Sequence, residues 1–84
     1  MTRGEFCVGI TFNPSSNNEV DEIKRKAADL IDAVDAITDG SQHGEAAGAE
    51  RTRLKALART DIESAAMWAV KAATKTEPNT GAGE

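Results

Sequence analysis

Apolar residues recur at steps of three and four along two long stretches of this chain. In the first stretch, the recurring positions are Val20, Ile23, Ala27, Leu30, Ile31, Val34 and Ile37. This spacing places the apolar side chains on one face of an α-helix and leaves the other face polar. Ser15, Ser16 or Asn17 is suited to cap the start of this helix. The pattern therefore predicts a helix over residues 17–38.

The second stretch is rich in alanine and extends over residues 46–74. Its recurring apolar positions are Leu54, Leu57, Ala58, Ile62, Ala65, Trp68, Ala69 and Ala72. We expect this face to pack against the first helix. Turn-forming residues fill positions 39–44 between the two stretches, which predicts a loop there. Two long helices joined by a short loop indicate an all-α fold, an antiparallel two-helix hairpin.

The two ends of the chain lack this helical pattern. Residues 6–12 contain β-branched side chains typical of a strand, but no second strand is available to pair with them. We therefore expect residues 1–16 to form an extended N-terminal arm. Residues 75–84 contain Pro78, two glycines and no large apolar residue. Such a segment cannot offset its ordering entropy, so we expect a disordered tail.

Length and charge limit the possible functions. A chain of 84 residues forms at most one domain, and it buries only a small fraction of its surface as a monomer. We therefore expect it to oligomerise. Ten basic residues against 14 acidic ones argue against binding to duplex nucleic acid. No apolar run approaches the length of a membrane span, so we expect a soluble, cytosolic protein that does not bind a membrane.

Residues for catalysis are scarce. His43 is the only histidine and Cys7 the only cysteine, which excludes a disulfide framework within the chain and leaves no metal site or nucleophile–base pair. The glycines lack the strand–turn–helix context of a phosphate-binding loop. We therefore expect no catalytic residue, no metal, no cofactor and no enzymatic activity.

Aromatic residues are equally scarce, and this favours Phe12 as a stacking platform. The chain has no tyrosine, one further phenylalanine at Phe6 and one tryptophan, Trp68. In the helix that follows Phe12, Lys24 and Lys26 lie on opposite flanks of the apolar face. The alternative is that both lysines simply cover apolar surface with their methylene stems and keep their charges in water.

The second helix carries apolar residues beside its main face. Met67 and Val70 lie off that face, and with Trp68 they indicate an oligomer interface. The alternative is that Met67 and Val70 are isolated exposed residues, which are common on protein surfaces. Asp61 falls inside the apolar face and would need a partner if it were buried.

Two segments resemble a known family. They are Thr11-Phe12-Asn13-Pro14-Ser15 followed by Val20-Asp21-Glu22-Ile23-Lys24, and the stretch from Arg53 through Thr60-Asp61-Ile62-Glu63-Ser64-Ala65-Ala66-Met67-Trp68-Ala69-Val70-Lys71. Over residues 11–73 the chain is similar to the phage-encoded helical-hairpin sponges, which comprise anti-CBASS cyclic-oligonucleotide sponges and related anti-Thoeris proteins. The Met67-Trp68-Ala69-Val70-Lys71 run is the more specific part.

The resemblance implies a compact homo-oligomer, a hexamer, acting in the cytoplasm of the infected bacterium. It implies sequestration of cyclic dinucleotides such as 3′,3′-cyclic GMP-AMP, and of cyclic trinucleotides in some members, without degradation. The ligand-binding residues carried over are Phe12, Lys24 and Arg53, the last from a neighbouring protomer, with Lys26, Asn13 and Ser15 as weaker candidates. The family aromatic is often tyrosine, so Phe12 lacks a hydroxyl.

Two other functions stay open at this point. One is a structural helical-hairpin module that binds another protein through Met67 and Val70 and takes no small molecule. The other is a nuclease or phosphodiesterase acting on the messenger, which the scarcity of metal ligands disfavours.

Overall fold

The computed structural model describes residues 1–13, 17–38 and 44–77, and over these residues the fold is all-helical. Helix α1 spans Arg3–Val8, α2 spans Asn18–Asp35 and α3 spans Glu45–Thr74. Helices α2 and α3 form the expected hairpin, and α1 packs across α2. The segments at residues 39–43 and 78–84, predicted above as loop and disordered tail, lie outside the described residues.

The expectation of an extended N-terminal arm is wrong, because residues 3–8 are helical. A capping box begins α1, with the Thr2 hydroxyl accepting from the Glu5 N–H at 3.0 Å and the Glu5 carboxylate accepting from the Thr2 N–H at 2.8 Å. Gly9 ends it in the left-handed conformation, at φ 62°. A helix this short is stable only through tertiary contacts.

Those contacts come from α2. Gly4 is buried where α1 crosses α2, and its N–H donates to Asp32 Oδ1 at 2.7 Å. A Cβ at this position would collide with the Ala28 backbone, whose carbonyl carbon would lie 2.7 Å away. The absence of a side chain at Gly4 therefore permits the close approach of the two helices.

We expect Gly4→Ala to lower the free energy of unfolding by about 1–3 kcal/mol, because the added methyl forces α1 away from α2. Urea denaturation followed by circular dichroism, at one fixed protein concentration, measures the loss. Phe6→Ala is the matched control, since Phe6 lies on the exposed side of the same helix. A denaturation midpoint for Gly4→Ala equal to the wild-type value would show that the crossing is not this close.

Helix α2 is fixed at both ends by polar side chains. Asn17 is the N-cap, and its Oδ1 accepts from the N–H groups of Glu19 and Val20 at 2.8 and 3.2 Å. At the other end, Lys55 Nζ donates to the carbonyls of Asp35 and Ile37 at 3.1 and 2.6 Å. The helix ends at Asp35, three residues before the predicted end, and this ammonium group satisfies carbonyls there.

The register of the hairpin follows from two contacts. Lys55 of α3 binds the end of α2, and Asn17 Nδ2 donates to the Ala73 carbonyl at 3.4 Å at the opposite end. Helix α3 has 30 residues and α2 has 18, so the first turns of α3 extend beyond α2. We call this projecting part, residues 45–53, the α3 overhang.

The predicted apolar face of α3 is only partly covered: Ala58, Ile62 and Ala69 are half-buried, whereas Ala65 and Ala72 are exposed. Leu54, Leu57 and Trp68 are also exposed, whereas Ala66, which was not assigned to that face, is buried. Val70 is half-buried and Met67 is exposed. The prediction was wrong for Leu54, Leu57 and Trp68, because apolar periodicity shows that a face can be buried but not which part of it meets another helix. Asp61 is exposed, so it needs no buried partner.

The core of the described residues is small. Its buried apolar members are Val20, Ala28, Ile31 and Ala66. Ile31 is the largest side chain with no exposure. No described helix combines the length and apolar character needed to cross a membrane.

Candidate ligand-binding site

A tight turn after α1 places Phe12. Gly9 ends α1, and its carbonyl accepts from the Phe12 N–H at 2.9 Å. The Ile10 N–H donates back to the Glu5 carbonyl at 3.0 Å, which completes a Schellman motif around Gly9. The positive φ of Gly9 makes this reversal possible without strain. The chain therefore leaves α1 and returns toward α2 within a few residues.

Lys24 of α2 holds this turn in place. Its ammonium group donates to the Gly9 carbonyl at 3.0 Å and to the Phe12 carbonyl. Only 7% of Lys24 is exposed, so its charge is compensated by these two carbonyls rather than by water. The interpretation of Lys24 as a solvated lysine covering apolar surface does not describe this residue.

The ring of Phe12 is the open part of the site. It is 72% exposed, yet Lys24 Nζ lies 5.2 Å from its centroid, within cation–π range. An exposed aromatic face of this kind is available to stack on the base of a ligand. The site thus presents an exposed aromatic surface on a rigid support.

Asn13 joins the turn to the start of α2. Its Nδ2 donates to the Asn17 carbonyl and to Asp21 Oδ1, both at 2.8 Å, and its Oδ1 accepts from the Asn17 N–H at 3.1 Å. Both amide donors are used, so the structure gives Asn13 a structural role. Ser15, the adjoining candidate, lies outside the described residues.

A groove of about 530 Å³ adjoins this site, with Lys24 in its wall. It is lined by Cys7, Val8 and Lys24, and by the α3 residues Thr60, Glu63, Ser64, Ala66, Met67 and Val70. Its volume falls within the range of small-molecule pockets, and Lys24, Glu63 and the hydroxyls of Thr60 and Ser64 add polar groups to a mostly apolar surface.

Arg53 is far from Phe12 in the same chain. Lys24, which holds the Phe12 turn, lines the same groove as Ala66, and the 13 residues from Ala66 to Arg53 correspond to about 20 Å of helix. Arg53 lies in the α3 overhang and donates to both carboxylate oxygens of Glu50, at 2.8 and 2.7 Å. This hydrogen bonding lowers the pKa of Glu50 and raises that of Arg53. Arg53 can therefore reach a Phe12 site only from a neighbouring chain.

Lys26 is on the opposite side of α2 from Lys24. It is exposed and pairs with Glu22 at 3.0 Å. The structure therefore brings together Phe12, Lys24 and Asn13, but neither Lys26 nor Arg53 of the same chain. Of the predicted interface residues, Met67 and Val70 line the groove and Trp68 is exposed on another side of α3.

Gly9 and Asn17 were not singled out as site residues, although both shape the site. Gly9 provides the turn that positions Phe12, and Asn17 anchors the Asn13 side chain. The sequence does contain a signal for this arrangement: Thr2 and Glu5 have capping-box spacing, and a glycine follows one helical turn after Glu5.

Comparison with known protein families gives one match. The model of the Acb2/Tad1 hairpin domain matches residues 6–74, which include α2, α3 and the Phe12 turn. No curated protein and no solved structure matches the sequence. The match covers more than half of the chain and agrees with its helical hairpin. The chain therefore belongs to the Acb2/Tad1 hairpin family, the family of anti-CBASS and anti-Thoeris sponges.

Proposed function

We propose that this protein sequesters cyclic dinucleotides such as 3′,3′-cyclic GMP-AMP and holds them without degrading them. The family consists of proteins that bind cyclic oligonucleotides rather than enzymes. The observation that carries the finer proposal is the exposed ring of Phe12, fixed by the buried ammonium group of Lys24. By removing the messenger, the protein blocks CBASS-type antiphage signalling in the cytoplasm of the host cell.

In this proposal a base of the messenger stacks on the exposed side of Phe12. Stacking on an aromatic ring is worth about 1–3 kcal/mol per base and tolerates different bases. Lys24 fixes the ring and adds positive charge beneath it. A base placed between Phe12 and Lys24 would require the ammonium group to leave its two carbonyls, whereas the outer side of the ring is free without any rearrangement.

Lys24 is buried and donates to two backbone carbonyls, so phosphate binding beside Phe12 requires a further positive charge. We propose that Arg53 of a neighbouring protomer contributes it, as part of a homo-hexamer. The guanidinium group binds phosphate through paired hydrogen bonds, and its present partner Glu50 would then share it. Cyclic trinucleotides form a second class of ligand in this proposal.

Calorimetric titration with 3′,3′-cyclic GMP-AMP tests the binding. We expect saturable binding of equal affinity in Mg²⁺ and in EDTA, because Phe12, Lys24 and Arg53 need no metal. The linear dinucleotide with the same two bases is the matched control ligand. It should bind more weakly, because its backbone is not constrained to the cyclic conformation. Absence of binding, or binding only with Mg²⁺, would contradict the proposal.

A further inference from the structure

Helix α1 is held on α2 by polar contacts rather than by a large apolar surface. Within α1, Gly4 is the buried residue, and Phe6 is 76% exposed. A helix of six residues does not persist without tertiary contacts. The contacts between α1 and α2 therefore determine whether α1 forms, and with it the support of the Phe12 turn, residues 9–12.

Three residues of α2, spaced by four, lie under α1 and the turn that follows it. They are Lys24, Ala28 and Asp32. Steps of four place them in one row along α2, which rises about 12 Å from Lys24 to Asp32. Lys24 binds the turn after α1, and Asp32 binds the first turn of α1. The row therefore supports α1 at both of its ends.

The contact of Asp32 satisfies a backbone group that α1 itself cannot satisfy. The first N–H groups of a helix have no partner within that helix. In α1 the Thr2 hydroxyl accepts from the Glu5 N–H, and the Asp32 carboxylate accepts from the N–H of buried Gly4 at 2.7 Å. A charged acceptor binds more strongly than a neutral one, and a buried donor that loses its acceptor is costly.

Two ion pairs also join α1 to α2, but their side chains are partly in water. Arg3 Nε lies 3.1 Å from Asp35 Oδ1, and an Arg25 guanidinium nitrogen lies 2.8 Å from Glu5 Oε2. Ion pairs at such positions contribute little to stability. Asp32 is half-buried and binds the backbone, so we expect α1 to depend on this carboxylate more than on either ion pair.

Backbone hydrogen bonds connect α1 to Phe12. The Ile10 N–H donates to the Glu5 carbonyl at 3.0 Å, and the Phe12 N–H donates to the Gly9 carbonyl at 2.9 Å. The first of these bonds requires that α1 be helical, because the Glu5 carbonyl belongs to that helix. Loss of α1 would therefore free the Phe12 turn from one of its supports.

We propose that Asp32 is a positioning residue for Phe12: it docks the first turn of α1 on α2, and α1 in turn fixes the Phe12 turn. Asp32 lies about 12 Å along α2 from Lys24, so it acts through α1 rather than by contact with the ring. The effect of Asp32 on affinity rests on the proposed binding of cyclic dinucleotides at Phe12. Its effect on α1 does not.

Hydrogen–deuterium exchange of the ligand-free protein tests the docking. In Asp32→Ala the amides of residues 6–12 should exchange at least about tenfold faster, while the amides of α3 keep their wild-type rates. Asp32→Asn should restore most of the protection, since its amide oxygen can accept the same N–H. Glu22→Ala is the matched control, because Glu22 is an exposed α2 carboxylate that pairs with Lys26. Wild-type exchange of residues 6–12 in Asp32→Ala would overturn the inference.

A thermodynamic cycle with Phe12→Ala separates positioning from general stability. Calorimetric titration with 3′,3′-cyclic GMP-AMP should show about three- to tenfold weaker binding for Asp32→Ala, because the docked state is less populated. In the Phe12→Ala background the same substitution should change affinity by less than about twofold, since the ring that α1 positions is gone.

Unchanged affinity of Asp32→Ala, or an equal loss in both backgrounds, would contradict a role exerted through Phe12. If the wild-type protein binds no cyclic dinucleotide, the proposed function fails. The exchange experiment, which contains no ligand, still decides whether Asp32 docks α1 and the Phe12 turn.

Discussion

Phe12→Ala is expected to weaken binding of 3′,3′-cyclic GMP-AMP about 5- to 150-fold, the equivalent of the 1–3 kcal/mol that one base–aromatic stack supplies. The backbone of the turn is held by Gly9 and Lys24 rather than by the ring. The substitution should therefore remove the stacking surface and leave the fold intact. Calorimetric titration measures the loss, and sedimentation shows that the oligomer persists.

Phe6→Ala is the matched control for this variant. Phe6 is 76% exposed and Phe12 72%, but Phe6 lies on α1 rather than at the turn held by Lys24. If the loss reflects a specific site, only Phe12→Ala lowers affinity. Equal effects of the two variants would indicate general surface hydrophobicity instead. Phe12→Tyr should retain the stacking.

Lys24→Ala is expected to have the second large effect, on both binding and stability. It removes the donor from the carbonyls of Gly9 and Phe12 and opens a cavity under the turn. Loss of one such donor costs about 1–3 kcal/mol. We expect the free energy of unfolding to fall by that amount and affinity for the dinucleotide to fall at least tenfold, since Phe12 is no longer held. Urea denaturation and calorimetry measure the two effects.

Lys75→Ala controls for the removal of one positive charge. Lys75 is exposed just beyond the end of α3, so its loss should change neither stability nor affinity appreciably. Lys24→Met keeps an apolar side chain in the space of the lysine methylene groups but lacks the ammonium group. It should restore the packing under the turn but not the affinity for the dinucleotide. Wild-type affinity in both Lys24→Ala and Phe12→Ala would overturn the assignment of this site.

The hairpin was predictable because α2 and α3 follow the helical repeat over many residues. Helix α1 was not predicted, because its six residues are too few for a periodic pattern and it depends on a glycine contact with α2. The Thr2 and Glu5 capping box was the available signal. Residues 3–8 are helical because they contact α2, and such a tertiary contact is not visible in sequence periodicity.

The covered side of α3 was not predictable from apolar periodicity. Two faces of α3 are apolar, one with Ala66 and one with Leu54, Leu57 and Trp68. Periodicity shows that both can be buried, but not which one meets α2. In the structure Ala66 is buried, and Ala58, Ile62 and Ala69 are half-buried. Leu54, Leu57 and Trp68 remain exposed in the chain.

The pairing of Phe12 with Lys24 came from the family resemblance rather than from periodicity. The structure brings the two side chains together through the turn at Gly9. Arg53 could be placed only outside its own chain's site, because its distance along α3 excludes contact with Phe12. The proposed contribution of Arg53 from a neighbouring chain rests on the family resemblance, because residue spacing in one chain does not report assembly.

Recovery of intact messenger tests the central claim most directly. The protein is saturated with 3′,3′-cyclic GMP-AMP in Mg²⁺, washed free of unbound ligand and digested with protease, and the released nucleotide is identified by chromatography. Sequestration without chemistry predicts recovery of the unmodified cyclic dinucleotide in the amount that calorimetry shows to be bound. A linear or cleaved product, or no retained nucleotide at all, would contradict it.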